Sequence, residues 1–286
     1  MTIAHNKQDP QLNAKIKIYE KDDIKKFDTR SKMSIFIDEK SINKNTVVTV
    51  YPSSYYLNDN KLKIFPLSGI SNSITIDSNE NGYYFKYKSD RYGFNNPDEE
   101  WNNYEIKYLL LGDSFTHGCC VNRPNDIASV LRNLSKKPTI NLGYVGNGPL
   151  IQFASLKEYM PGKVEKILWF YFEGNDISDL NRDLKNKILL NYIENKEFFQ
   201  NLKKKQNEIN TIAQNKIEDE LNKFEKEKKK ENFLFKTKNF LKIFLTREYI
   251  KNSFKKETKS IINKQEPYDE FKKILSFTKE IANLNN

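Results

Sequence analysis

The chain has 286 residues, enough for one large domain or two small ones, with 37% hydrophobic and 30% charged residues and a formal net charge of +10. No run of 18 apolar residues occurs, which excludes a helical membrane span, and the opening residues Met1 to Lys7 carry no apolar core of a secretion signal, so a cytoplasmic location is expected. The only cysteines, Cys119 and Cys120, are adjacent and lack the spacing of metal ligands; they read as small packing residues, and neither a metal nor a cofactor is expected.

Residues 1–44 are polar and charged, apart from Ile35-Phe36-Ile37, and are expected to be ordered in part at best. Residues 45–100 alternate in the manner of strands at Thr46–Tyr51, Ile74–Ile76 and Tyr83–Tyr87, with Asn81-Gly82 as a turn. They predict a small β-rich module that either decorates the main domain or walls its crevice.

Residues 101–286 are expected to form the main domain. Tyr108–Leu111 reads as a buried strand running into Gly112-Asp113-Ser114-Phe115-Thr116, and a helix is predicted to start at Ser114, carry both cysteines and continue through Asp126–Leu131. A second strand ends at Thr139-Ile140 and leads into Asn141–Gly148. A helix over Gln152–Tyr159 is entered through Gly148-Pro149, where Pro suits the first helical turn. A third strand, Ile167–Phe172, leads into Glu173-Gly174-Asn175-Asp176. This alternation predicts an α/β fold with a doubly wound parallel sheet.

Residues 181–265 read as a long helical insertion, with Leu202, Ile209, Ile212, Ile217, Leu221 and Phe224 mostly at helical spacings. From Lys196 to Lys264 there are 19 Lys and Arg against 10 Asp and Glu, so most of the positive charge lies here. No helix-turn-helix or RNA-recognition signature accompanies it, and nucleic-acid binding is not expected. For the basic, aromatic stretch Phe233–Phe254 the leading reading is packing on the domain; a membrane-surface helix, a lid and a docking hairpin are the alternatives.

In an open parallel sheet the strand C-termini share one edge, and ligands bind there. The three Gly-containing loops would then meet at one crevice. A Ser on a tight strand-to-helix turn exposes its Oγ beside backbone N–H groups that can hold an oxyanion.

Together the three blocks resemble the SGNH (GDSL) hydrolase superfamily over about residues 105–180, and the stretches Pro66–Asn72 and Asp90–Pro97 resemble bacterial members with a β-rich N-terminal extension. The resemblance implies a flavodoxin-like sheet, Ser114 as nucleophile, and an oxyanion hole made from the Ser114 N–H, the Gly146 N–H and the Asn175 amide. Asp113, His117, Asn147 and Asp176 stand beside them as candidate substrate-binding residues, Asp113 and Asp176 also bracing their turns. The implied activity is ester hydrolysis, with an acylated carbohydrate or surface polysaccharide as expected substrate.

That family carries its catalytic base in a C-terminal Asp-x-x-His. This sequence has only His5 and His117, neither preceded three residues earlier by an acid. His117, one helical turn after Ser114, reads first as a polar residue beside the crevice and second as the base. Phe277–Asn286 reads as a helix where a parallel sheet would continue with a strand, so a C-terminally incomplete sheet, and a chain that is a fragment, are expected. The alternatives are a catalytically incomplete relative that binds a ligand or partner, and an O-acyltransferase. The sequence does not set the oligomeric state.

Overall fold

The structure, a computed structural model, describes residues 27–238 and 267–285. Helix α1 (Lys32–Ile42) is capped by the Ser31 hydroxyl, which accepts from the Ser34 N–H. Its Ile35 and Phe36 are buried in the core, so this part of the N-terminal segment is anchored by the apolar patch that looked isolated in the sequence. Strand β1 (Thr46–Val48) and helix α2 (Pro52–Tyr55) follow, then β2 (Ile74–Ile76) and β3 (Lys86–Lys88). β2 lies between the other two, parallel to β1 and antiparallel to β3. Each strand has only three residues, so the rest of the module is held by loops. The carboxylate of Asp90 organises one of them, accepting from the Tyr92 and Phe94 N–H groups, Asn96 Nδ2 and Trp101 Nε1.

The main sheet is built from β4 (Glu105–Leu111), β5 (Thr139–Asn141) and β6 (Lys163–Trp169), all parallel, in the order β5-β4-β6. Between β4 and β5 lie α3 (Ser114–His117) and α4 (Ile127–Ser135). These are two helices and not one continuous helix: α3 ends after a single turn because Gly118 adopts φ +77, a conformation that favours glycine. Cys119 and Cys120 fall in the loop beyond it and are unbridged, both within reach of the Ser78 hydroxyl. Helix α4 turns its Ala128 and Ser129 inward and leaves Ile127, Val130 and Leu134 exposed, Leu134 at 78%.

Helix α5 (Pro149–Tyr159) connects β5 to β6 and is buried along nearly its whole length. β6 ends at Trp169, three residues short of the predicted strand, and Phe170–Phe172 leave the sheet with their rings exposed. Beyond it come α6 (Asp176–Asp183), α7 (Lys187–Glu194), a 3-10 turn at Leu202–Lys205, the long α8 (Gln206–Lys238) and α9 (Tyr268–Leu284). Most of the predicted stripe is core: Leu202 on the 3-10 turn and Ile209 and Ile217 on α8 are buried, with Ile212 and Leu221 packed beside them, while Phe224 lies outside that cluster. α8 also holds the N-terminal module, through Lys216 to Asp59 at 2.7 Å, Asn210 to Ser71 and Gln206 to the Gly69 carbonyl. Apart from the backbone of 233–238, Phe233–Phe254 lies outside the described residues. No described helix is long and apolar enough to cross a membrane.

One buried carboxylate fastens this half of the molecule to the sheet. Glu158 on α5 accepts from the Tyr192 hydroxyl at 2.7 Å, the Gln200 N–H and the Leu202 N–H at 2.8 Å, joining α5 to α7 and the 3-10 turn. Replacing Glu158 with Ala strands three buried donors at once. The expected cost is ~3 kcal/mol or more in urea unfolding monitored by far-UV circular dichroism, against less than ~0.5 kcal/mol for Glu194→Ala on the exposed side of α7.

Candidate active site

Three loops emerge from the C-terminal ends of parallel strands, and contacts at the strand ends, between loops and from α6 tie them together. The Phe170 N–H donates to the Leu111 carbonyl at 2.9 Å, the Tyr144 N–H to the Gly112 carbonyl at 3.3 Å, and Arg182 Nη2 to the Gly146 carbonyl at 2.7 Å. Phe115 and Phe172 face one another with ring centroids 5.4 Å apart.

At the end of β4 the chain must turn at once. A Cβ on Gly112 would sit 2.1 Å from Thr116 Oγ1, so only glycine lets α3 fold back over the strand end. Asp113 caps α3, its Oδ1 accepting from the Phe115 N–H at 3.1 Å. Ser114 is the first residue of α3 and half-buried, and its hydroxyl has no hydrogen-bond partner among the described residues. A single-turn helix carries little macrodipole, so any anion at Ser114 depends on individual N–H groups.

Gly146 has φ +72, and a Cβ there would meet Ser53 Oγ at 2.8 Å. The N-terminal module therefore touches the crevice loop directly and is more than a distant decoration. Asn175 caps the start of α6 by position, but its side chain does not cap. Its Nδ2 donates to Asp179 Oδ2 at 3.1 Å, one turn along. An amide nitrogen has two hydrogens, so this contact fixes the group and leaves one N–H to donate. Asp176 is fully buried and accepts from the Phe172 N–H at 2.6 Å, bracing the turn that presents Asn175.

Two of the sequence candidates lie elsewhere. Asn147 is buried against the N-terminal module: its Nδ2 points to the Leu67 carbonyl at 3.5 Å, and its own carbonyl accepts from Gln152 Nε2. His117 is fully buried, so it does not line the crevice, and no hydrogen bond joins it to Ser114 among the described residues. Its Nε2 lies 3.2 Å from Asp77 Oδ2 and its Nδ1 lies 3.3 Å from the Gly143 carbonyl, with Phe85, Tyr87 and Tyr144 around the ring. Both ring nitrogens face groups of the core, Asp77 and the Gly143 carbonyl, and neither is paired with the Ser114 hydroxyl. Asp77 in turn accepts from the Tyr51 hydroxyl, which receives Lys32 Nζ at 3.1 Å. Burial alone would raise the Asp77 carboxyl; the contacts from His117, Lys32 and Tyr51 outweigh it and hold the group below the usual carboxylate range.

The loops after β5 and β6 are backed by acids. Asp176 is pushed up to about 6, chiefly by burial, with the charges of Asp113 and Asp179 adding to it. Burial raises Asp179 as well, and Asp183 well above the usual range; Arg182 opposes both shifts, lying 3.0 Å from Asp179. No group of acids, histidines or cysteines suited to a metal ion occurs among the described residues. Sequence reasoning missed Asp77, Asp179 and Arg182. Asp179 had a usable signal in its spacing of four from Asn175 on one helix face; Asp77 lies 40 residues before His117 and had none.

Comparison with protein-family models, with characterised proteins and with solved structures finds no match to this chain.

Two outcomes test this geometry. Breaking the buried pair with His117→Ala or with Asp77→Ala is expected to cost ~3–5 kcal/mol each, because the remaining partner is stranded. The double variant should cost clearly less than the sum in a denaturation cycle. Asp176 binds its proton more tightly in the folded chain, so its contribution to stability is complete below about pH 4 and lost as the pH rises through about 6. Asp176→Asn keeps an acceptor for the Phe172 N–H, and its Tm should exceed that of the parent at pH 8 and converge with it at pH 4.

Proposed function

We propose that this chain is a serine ester hydrolase of the SGNH type, with Ser114 as nucleophile and the Ser114 N–H, Gly146 N–H and Asn175 amide as oxyanion donors. The observation that carries the proposal is the convergence of a half-exposed, unpartnered Ser114 hydroxyl with the loops that carry Gly146 and Asn175. A doubly wound sheet is the architecture that this reading assumes. In the proposed reaction Ser114 Oγ attacks the ester carbonyl, the alcohol leaves, and water releases the acyl group from the serine. Charge develops on the carbonyl oxygen, and a fixed donor aimed there is worth about 3 kcal/mol of transition-state stabilisation. Asp179 serves this step by holding Asn175, and Asp176 by fixing the turn before it. An acylated carbohydrate is the proposed substrate, and transfer to a sugar hydroxyl in place of water uses the same site.

A second reading is favoured by the state of His117. With its ring buried against Asp77 and the Gly143 carbonyl, the one described histidine is not placed to take the Ser114 proton, and a serine without a base is a weak nucleophile. On this reading the crevice binds an ester-bearing ligand or a partner without turning it over.

Incubation with a fluorophosphonate separates the two, because the reagent forms a covalent adduct only with an activated serine. For the esterase, a single adduct on the Ser114 peptide is expected, together with hydrolysis of p-nitrophenyl acetate that Ser114→Ala abolishes. Asn175→Ala should slow hydrolysis ~100-fold or more with little change in KM. No adduct, and equal rates for parent and Ser114→Ala, would leave the binding reading.

A further inference from the structure

Next to Ser114 the surface is apolar. Phe115 is 62% exposed, Phe172 45% and Phe170 36%, whereas the Tyr171 ring packs on Phe271 of α9 at 5.3 Å. These rings come from two segments: Phe115 directly follows the candidate nucleophile, and the others follow the end of β6. Phe115 and Phe172 pack at 5.4 Å with their planes inclined by 57°, which makes a notch and not a flat platform. The loop is built to hold Phe172 there: a Cβ on Gly174 would fall 2.8 Å from its ring, so glycine at that position lets the ring fold back towards Phe115. Contiguous exposed aromatics on a folded chain mark a place where something apolar docks. A flat ring with polar groups at its rim suits the face of a sugar; two inclined phenyl rings with no hydrogen-bonding tip suit a flexible hydrocarbon chain. The charge narrows the class further. Although the chain as a whole carries +10, Asp113 directly precedes Ser114 and Asp179 holds Asn175, with Arg182 pairing only the second of these, a setting that disfavours an anionic ligand.

We infer that the Phe115–Phe172 notch is an acyl-chain subsite, selecting uncharged esters whose acyl group is an alkyl chain longer than acetyl. This deepens the esterase reading, on which it rests for the identity of the scissile bond, and it adds that the acyl side of the substrate is apolar even where the alcohol side is a sugar.

Binding without turnover tests the notch independently of catalysis. Isothermal titration of the Ser114→Ala chain with ethyl acetate, ethyl butyrate and ethyl octanoate is expected to give affinity that rises with chain length, at least tenfold from acetate to octanoate, since each CH2 fully removed from water is worth about fourfold. Monoethyl succinate should bind more weakly than ethyl butyrate. Adding Phe115→Ser or Phe172→Ser, both at exposed positions and checked for an unchanged Tm, should reduce the octanoate-to-acetate ratio below about threefold. Equal affinities across the series, or a ratio that survives both substitutions, would overturn the subsite. Turnover of the same esters by the parent chain keeps the two proposals apart. Chain-length-dependent binding without Ser114-dependent hydrolysis removes the esterase and leaves the notch. Ser114-dependent hydrolysis with no chain-length preference in either binding or kcat/KM does the reverse.

Discussion

The contact on which the site depends most is the buried pair of Asp77 and His117. It joins three segments far apart in sequence: the end of β2, the single turn of α3 and, through the Gly143 carbonyl, the loop after β5. Neither side chain reaches water, so each is tolerable only in the presence of the other. α3 cannot shift without separating that pair, and Ser114 is fixed one turn away on the same short helix. A histidine that faces a crevice could have served as a base; one turned into the core sets the position of the residue three places before it.

Much of the main sheet was legible in the sequence, for a definite reason. Buried parallel strands must be apolar along their length, and the glycines that follow them are required by close approach. Leu109–Leu111, Ile140 and Gly112 therefore announced β4, β5 and the turn after β4. The helix starting at Pro149 was equally plain, because Pro suits the first turn of a helix. What stayed hidden depends on contacts that do not repeat along the chain. Gly118 looks like any helical glycine until its φ is known, so α3 and α4 read as one helix. Ile35 and Phe36 read as an isolated patch, since nothing local shows that α8 and the module close over them. α4 shows an apolar spacing of the usual kind, yet it buries its small residues and exposes Ile127, Val130 and Leu134, and periodicity alone does not say which side of a helix faces inward. Of the candidate site, the loops could be foreseen because strand order gathers them at one edge; the orientations of His117 and Asn147 could not, because their partners are 40 and 80 residues upstream.

Charge separates along the same lines. On α8, Lys223, Lys226 and Lys228 to Lys230 are exposed to solvent, where they cost little and direct little. The acids lie behind the loops after β5 and β6, where burial lifts Asp176 and Asp183 towards the neutral form. The sign of the whole chain is thus a poor guide to what its interior edge will accept.

Gly146 and Ser53 sit so close that a single methyl group between them would not fit. In descent, this makes residues 27–100 and the sheet a single heritable unit. A recombination event that replaced the N-terminal module with another of similar size would have to supply a small residue opposite Gly146, a carboxylate opposite His117 and an acceptor for Gln206 at once. Crossovers between β3 and β4 are therefore expected to be purged, while the exposed outer surface of α8 remains free to drift.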